Sequence, residues 1–269
     1  MKLVASDIDG TILAHNGSIS GRTVEAFRAC TAAGVEVVFV TGRPPRWLAP
    51  LREQIGHLGT VICSNGALVY DLAEEKILST KCLSIPDLLA ARDAIKTAVP
   101  SATFAAETLD GLHLEPGFAG EQSPEALKRI PARPLEESLR GERGVIKFLA
   151  KAADSTADEF LTAVRPVVGR WVEATHSAPD IALLEMSLRG VNKAATLSEF
   201  AASRGIEASQ VVAFGDMPND VQMLSWAGQG YAMASGHPEA KRATDLLAPG
   251  IDDDGVAQVL ERLLASRVA

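Results

Sequence analysis

The chain opens with a short apolar run, Leu3-Val4-Ala5, that ends abruptly in Ser6-Asp7-Ile8-Asp9-Gly10-Thr11. A run of this length bounded by turn residues reads as a buried strand. A polar loop leads to Ser20, which predicts a helix N-cap. Val24, Phe27 and Cys30 then recur at helical spacing, with Gly34 where a C′ glycine belongs. The β-branched run 35–40 predicts a second strand, ending in Thr41-Gly42-Arg43-Pro44-Pro45. Trp47, Leu48, Leu51 and Ile55 mark the helix after it, the prolines suiting its first positions. Thr60–Cys63 predicts a third strand, ending in Ser64-Asn65-Gly66-Ala67. Strand–helix–strand–helix–strand implies right-handed crossovers and a parallel sheet.

The texture changes near Cys82. A helix from about Pro86, strands at 103–106 and 112–115, a short helix at 124–129, a strand at 145–150, a helix at 156–164 and strands at 170–174 and 182–187 predict an α+β module with an antiparallel sheet. Its polar residues His113, His176, Lys147, Glu115, Arg170 and Glu185 read as surface or sheet residues, of which one or two face a substrate. Trp171, like Trp226 further on, reads as packing. The first texture returns at Gly190-Val191-Asn192-Lys193. It continues through a helix ending at Gly205, a strand over 211–214 that runs into Gly215-Asp216-Met217-Pro218-Asn219-Asp220, a helix with Val221 and Leu224, strands at 231–234 and 246–248, and a final helix from about Gly255. The fold class expected is therefore α/β, a Rossmann-like three-layer core with a parallel sheet plus an inserted α+β domain with an antiparallel sheet. The core is discontinuous, 1–81 and 189–269, around an insertion at 82–188.

Composition narrows the classes. The 47% apolar and 22% charged fractions belong to an ordinary globular protein. No run approaches the roughly 20 apolar residues of a membrane span. A formal charge of −8 argues against nucleic acid, which requires clustered Lys and Arg. Cys30, Cys63 and Cys82 show no metal-binding spacing and read as packed thiols in a reducing compartment, so a cytoplasmic location is expected.

In a parallel sheet the strand ends share one edge, where such folds place their ligands. Asp7 and Asp9 end one strand, Thr41 and Gly42 the next, and Asp216, Asn219 and Asp220 a later one, while Lys193 opens a helix. Converging carboxylates repel unless a cation joins them, and an all-oxygen set favours Mg²⁺. A hydroxyl, an ammonium and free backbone N–H groups at Gly42 and Arg43 complete a phosphate site. On the other reading Asp216 and Asp220 are helix-start acids, Thr41 caps the helix that begins at Pro44 and Asp9-Gly10 is an exposed turn. If the backbone stays near-extended beyond the first strand, Asp7 and Asp9, two apart, address one point from different sides.

The set Asp-x-Asp-Gly-Thr (7–11), Val-Thr-Gly-Arg (40–43), Gly-Val-Asn-Lys (190–193) and Gly-Asp-Met-Pro-Asn-Asp (215–220) resembles the haloacid dehalogenase-like hydrolase superfamily. The position of the insertion is similar to its Cof-type phosphatases, subfamily IIB, with a C2 cap. Ser64-Asn65-Gly66-Ala67 and Leu184-Glu185-Met186 are further echoes. The resemblance implies Asp7 as nucleophile, Asp9 as acid and base, and Mg²⁺ held by Asp7, Asp9 (through its carbonyl) and Asp216, with Asp220 supporting them. It implies Ile8, Thr41, Gly42, Lys193 and Asn219 around the phosphate, and makes Arg43 and Asn65 candidate substrate contacts. The activity implied is hydrolysis of a small phosphorylated metabolite, a sugar or polyol phosphate, through an aspartyl-phosphate, with the cap closing over the cleft and a monomer as the default. The alternatives are a phosphomutase of the same chemistry and a non-catalytic binding protein on the same fold.

Overall fold

The structure is a computed structural model that describes residues 1–56, 58–121, 123–178 and 180–268. It divides into two compact units, Met1–Ser79 with Asn192–Ala269, and Thr80–Val191.

In the first unit the strands β1 (Leu3–Ser6), β2 (Glu36–Val40), β3 (Thr60–Cys63), β4 (Leu68–Asp71) and β5 (Lys76–Thr80) join β11 (Val211–Gly215), β12 (Gln229–Met233) and β13 (Leu246–Ala248). They form one eight-stranded sheet in the order β13-β12-β11-β1-β2-β3-β4-β5. β1 lies at its centre and pairs in parallel with β11 and β2, Ser6 standing level with Phe214 and Phe39. Burial on both faces explains why Leu3, Val4 and Ala5 form an unbroken apolar run. One face (Leu3, Ala5, Val38, Val40, Ile62) packs against Leu197, Phe200 and Ala201 of α7 (Lys193–Ser203) and Met223 of α8 (Val221–Trp226). On the other face Phe39 meets Phe27 of α1 (Gly21–Ala32) edge-on at 5.2 Å, and α10 (Gly255–Val268) packs beside α1. The result is the three-layer α/β/α arrangement expected.

Two local differences have physical causes. The hairpin strands β4 and β5 were not predicted: β3 and β4 pair antiparallel, and β5 is exposed throughout, so burial leaves no alternation in its sequence. The helix expected from Trp47 splits into a 3₁₀ turn, Pro45–Trp47, and α2 (Ala49–Ile55), with Trp47 exposed. Pro50 removes the N–H that a continuous helix needs.

In the second unit β6 (Thr103–Glu107), β7 (Leu112–Leu114), β8 (Lys147–Lys151), β9 (Val172–Thr175) and β10 (Leu183–Leu188) form an antiparallel sheet in the order β7-β6-β8-β10-β9. Phe104, Phe148, Ala150, Leu184 and Met186 alternate onto one face. There they pack on α3 (Ile85–Ala98) and α6 (Ala157–Val168), whose ends are set by Ser84 and by a Thr156–Glu159 capping box. Of the polar residues read as surface or sheet, Lys147 and Glu185 are sheet residues of β8 and β10, whereas His176, just past β9, is buried instead of on the surface. Lys147 and Glu185 form a buried ion pair at 2.9 Å, and His176 is fully buried beside Asp158 at 2.8 Å. Trp171 and Trp226 do pack against their respective cores. Cys30 and Cys63 are buried free thiols and Cys82 is half-buried.

Candidate active site

Four neighbouring strands deliver the site. β11, β1, β2 and β3 run parallel, so Asp216, Asp7, Thr41 and Asn65 emerge at one edge of the sheet. Asp7 is buried just past β1, its N–H donating to the Phe214 carbonyl at 3.0 Å. The chain then turns. The N–H groups of Thr11, Ile12 and Leu13 all converge on the carbonyl of the buried Ile8, and Gly10 sits at φ +77°. The positive φ favours glycine there, and a side chain at Gly10 would also push against Asp216 Oδ2.

The centre is Lys193, the first residue of α7, whose N-cap Asn192 accepts from the Ala195 N–H at 2.8 Å. Its fully buried ammonium donates to Asp7 Oδ1 at 2.5 Å and to Asp220 Oδ1 at 2.7 Å. Asp220 Oδ2 accepts the N–H groups of Asp216 and Met217, each at 3.0 Å. Both its oxygens are thus engaged within the protein, which fits a supporting role. Asp216 Oδ1 accepts from Thr11 Oγ1 at 3.0 Å. Carboxylate oxygens of Asp7, Asp216 and Asp220 lie within 4.8 Å of one another.

The charges do not balance: three buried acids surround one buried cation. Burial pushes Asp7 well above the usual carboxylate range, and Asp220, Asp216 and Asp9 add to this against the pull of Lys193. Asp216 is pushed up to about 7, first by burial and then by Asp220. Burial pulls Lys193 down, but Asp220 and Asp7 more than offset it and hold the ammonium above its ordinary value. A hard divalent cation answers both the excess negative charge and the all-oxygen donor set, so the residues present fit one.

Asp9 is not with this group. Its side chain is 52% exposed, against 7% for Asp7. It is gripped by both arms of Arg43, Nε donating to Oδ2 at 2.8 Å and an Nη to Oδ1 at 2.5 Å. The reading of the two carboxylates as one pair is conditional on a near-extended backbone past β1; the chain instead turns onto the Ile8 carbonyl, and the Asp9 carboxylate sits on Arg43. Arg43, a candidate substrate contact, is engaged here in this ion pair. Thr41 Oγ1 accepts the Arg43 N–H at 3.0 Å, a bond inside its own loop and not a cap on the Pro45–Trp47 turn, whose N-cap Pro44 has no side-chain cap bond, and the hydroxyl hydrogen remains to donate. Gly42 is buried beside it. Asn65 and Asn219 meet side chain to side chain, Nδ2 of Asn219 donating to Oδ1 of Asn65 at 3.1 Å. The Arg43–Asp9, Thr11–Asp216 and Asn65–Asn219 pairs had no signal in the sequence beyond a shared sheet edge.

This edge is that of a family. The sequence profile described as haloacid dehalogenase-like hydrolase matches residues 4–260, and the chain belongs to that family. It is 26% identical over 268 residues to the 5-amino-6-(5-phospho-D-ribitylamino)uracil phosphatase YitU of Bacillus subtilis, covering 96% of each chain. It is 27% identical over 265 residues to the phosphoglycolate phosphatase of Methanothermobacter thermautotrophicus, covering 98% of this chain and 99% of that one. Among solved structures, the HAD subclass IIB sugar phosphatase BT4131 superposes with a TM-score of 0.80 at 24% identity, over 98% of this chain and 99% of its own. The Cof-type resemblance read from the motifs is borne out, and the chain is an enzyme of the phosphatase kind. No helix among the described residues is long and apolar enough to cross a membrane.

Proposed function

We propose that the protein is a Mg²⁺-dependent phosphatase of a small phosphorylated metabolite, a sugar or polyol phosphate, acting through an aspartyl-phosphate on Asp7. The observation that carries this reading is the buried Asp7 carboxylate, held by Lys193 beside Asp216 and Asp220 at the ends of parallel strands. Asp7 Oδ attacks phosphorus as the ester P–O bond breaks, and the departing alkoxide takes a proton from Asp9. Asp9 then removes a proton from water, whose oxygen displaces Asp7 and releases inorganic phosphate. Thr41 Oγ–H, the N–H groups of Ile8 and Gly42, and the Asn219 amide hold the phosphoryl oxygens. Lys193 orients Asp7 and offsets the charge that builds in the transition state. Asp7, the Asp9 carbonyl and Asp216 would hold Mg²⁺, with Asp220 supporting them, and the ion would supply the positive charge that lets one anion approach another. The inserted unit, residues 82–188 by the motif order, serves as the C2 cap. The relatives named for phosphoglycolate and for a ribityl phosphate both take small phosphate monoesters, in keeping with this substrate class.

A panel of phosphorylated metabolites read by free phosphate tests the proposal. Release is expected in Mg²⁺, none after chelation, and recovery on readdition; release unaffected by chelation would refute the metal assignment. Phosphorus-31 NMR showing an isomerised sugar phosphate without free phosphate would establish the phosphomutase alternative.

The shifted acids give a second test. Asp216 has a folded pKa of about 7, above its unfolded value near 3.8, so the native state binds the extra proton between those limits. Its contribution to stability is present at low pH and is lost as pH rises through that window. Mg²⁺ competes with that proton. It is expected to raise the unfolding temperature more at pH 8 than at pH 5.5, by up to about 3 kcal/mol of stabilisation at a hundredfold excess over its Kd. An equal shift at both pH values would count against the aspartate cluster as its site.

A further inference from the structure

Ser64, Asn65 and Gly66 are three consecutive residues at positive φ, 49°, 54° and 104°. The first two carry side chains that disfavour this region, although Asn tolerates it better than most. Both are buried. Two sets of contacts impose the conformation. On one side the Ser64 N–H donates to the Arg43 carbonyl at 3.1 Å and the Asn65 N–H to the Thr41 carbonyl at 3.0 Å, tying the turn to the loop that presents Thr41. On the other, Thr196 Oγ1 donates to the Gly66 carbonyl at 2.8 Å, and any Cβ at Gly66 would strike the carbonyl of Asn192, the N-cap beside Lys193. Strain of this kind persists only where the surroundings over-determine it, and it collects at functional sites.

What the turn delivers is the side chain of Asn65. Its Oδ1 takes the only hydrogen bond made by the Asn219 side chain among the described residues, across 154 positions of sequence. Asn219 is buried, and its Oδ1 has no partner. A buried amide so sparsely satisfied is not accounted for by packing alone. With a single protein contact, the plane of the amide and the direction of its second N–H are set by residue 65.

We propose that Asn65 is a positioning residue for Asn219: its Oδ1 fixes the amide so that the second Nδ2 hydrogen meets an oxygen of the phosphate monoester. The strained turn places that acceptor. This rests on the phosphatase reading above and adds that the grip of Asn219 on phosphate depends on residue 65.

The test uses Asn65→Gly, Asn219→Ala and the double variant, with p-nitrophenyl phosphate as substrate and inorganic phosphate as competitive inhibitor. Glycine relieves the positive φ while removing the amide, so Asn65→Gly is expected to unfold no earlier than wild type. Its Ki for phosphate and its KM are expected to rise about tenfold, close to the rise in Asn219→Ala. The double variant is expected to match Asn219→Ala alone, because the two residues form one device. A Ki within twofold of wild type, or effects that multiply in the double variant, overturns the proposal. If Asn65→Gly does not fold, Asn65→Ala in both backgrounds is held to the same non-additivity. Wild-type protein that hydrolyses no phosphate monoester would overturn the phosphatase reading and this inference with it, whereas an active wild type with an unaffected Asn65→Gly overturns the inference alone.

Discussion

Asp7→Asn is expected to lower p-nitrophenyl phosphate turnover by about 10³-fold or more while leaving the fold intact. An amide cannot form the acyl-phosphate, so the loss falls on kcat. The fold is spared for a structural reason: Lys193 keeps Asp220 at 2.7 Å when the charge on residue 7 is removed. The substitution also deletes one negative charge from a cluster that has too many, so chemical denaturation is expected to show unchanged or slightly higher stability. Near wild-type turnover in this variant would end the nucleophile assignment.

Lys193→Met reverses that balance. It removes the buried ammonium from between Asp7 and Asp220 and leaves three buried acids without a cation of their own. Breaking a buried pair by deleting one partner typically costs about 3–5 kcal/mol. Urea unfolding at pH 8 without metal is expected to show a loss of that order, together with a fall in turnover of about 10²–10³-fold or more. The loss is expected to shrink at pH 5.5, where protonation of the raised acids relieves their repulsion. A variant as stable as wild type at pH 8 would show that Lys193 is not the keystone of the cluster.

Much of this was legible in the sequence because the fold puts its chemistry at punctuation marks. β1, β2, β3 and β11 are apolar runs terminated by short polar motifs, and a parallel sheet brings such endings together whatever their separation in the chain. Asp7, Thr41 and Asp216 could be placed on that basis alone; Lys193, which opens a helix, needed its motif as well. Asp9 could not be oriented. Its direction depends on three N–H groups choosing the Ile8 carbonyl, a turn that alternation rules do not describe. The β5 strand was illegible because exposure on both faces removes the periodic contrast that marks a strand. The burial of Lys147, Glu185 and His176 escaped notice because a charged residue in a strand looks the same before and after it finds a partner. Asn65 and Asn219 each stood out, but their contact is a property of strand order and not of either motif.

The hold of Arg43 on Asp9 bears on how quickly the enzyme can start. An arginine fork on a carboxylate looks like a lock, yet this one is open to solvent on the acid's side, Asp9 being 52% exposed and Arg43 24%. Ion pairs in such surroundings are worth about 0–1 kcal/mol. At that strength, the share of molecules whose acid is loose at any moment lies between roughly one in two and one in six. A turnover limited by chemistry on millisecond timescales would scarcely register the delay, since exposed side chains reorient in nanoseconds or less. On the role proposed for Asp9 as acid and base, the clasp gives that carboxylate a resting place without slowing its return to work.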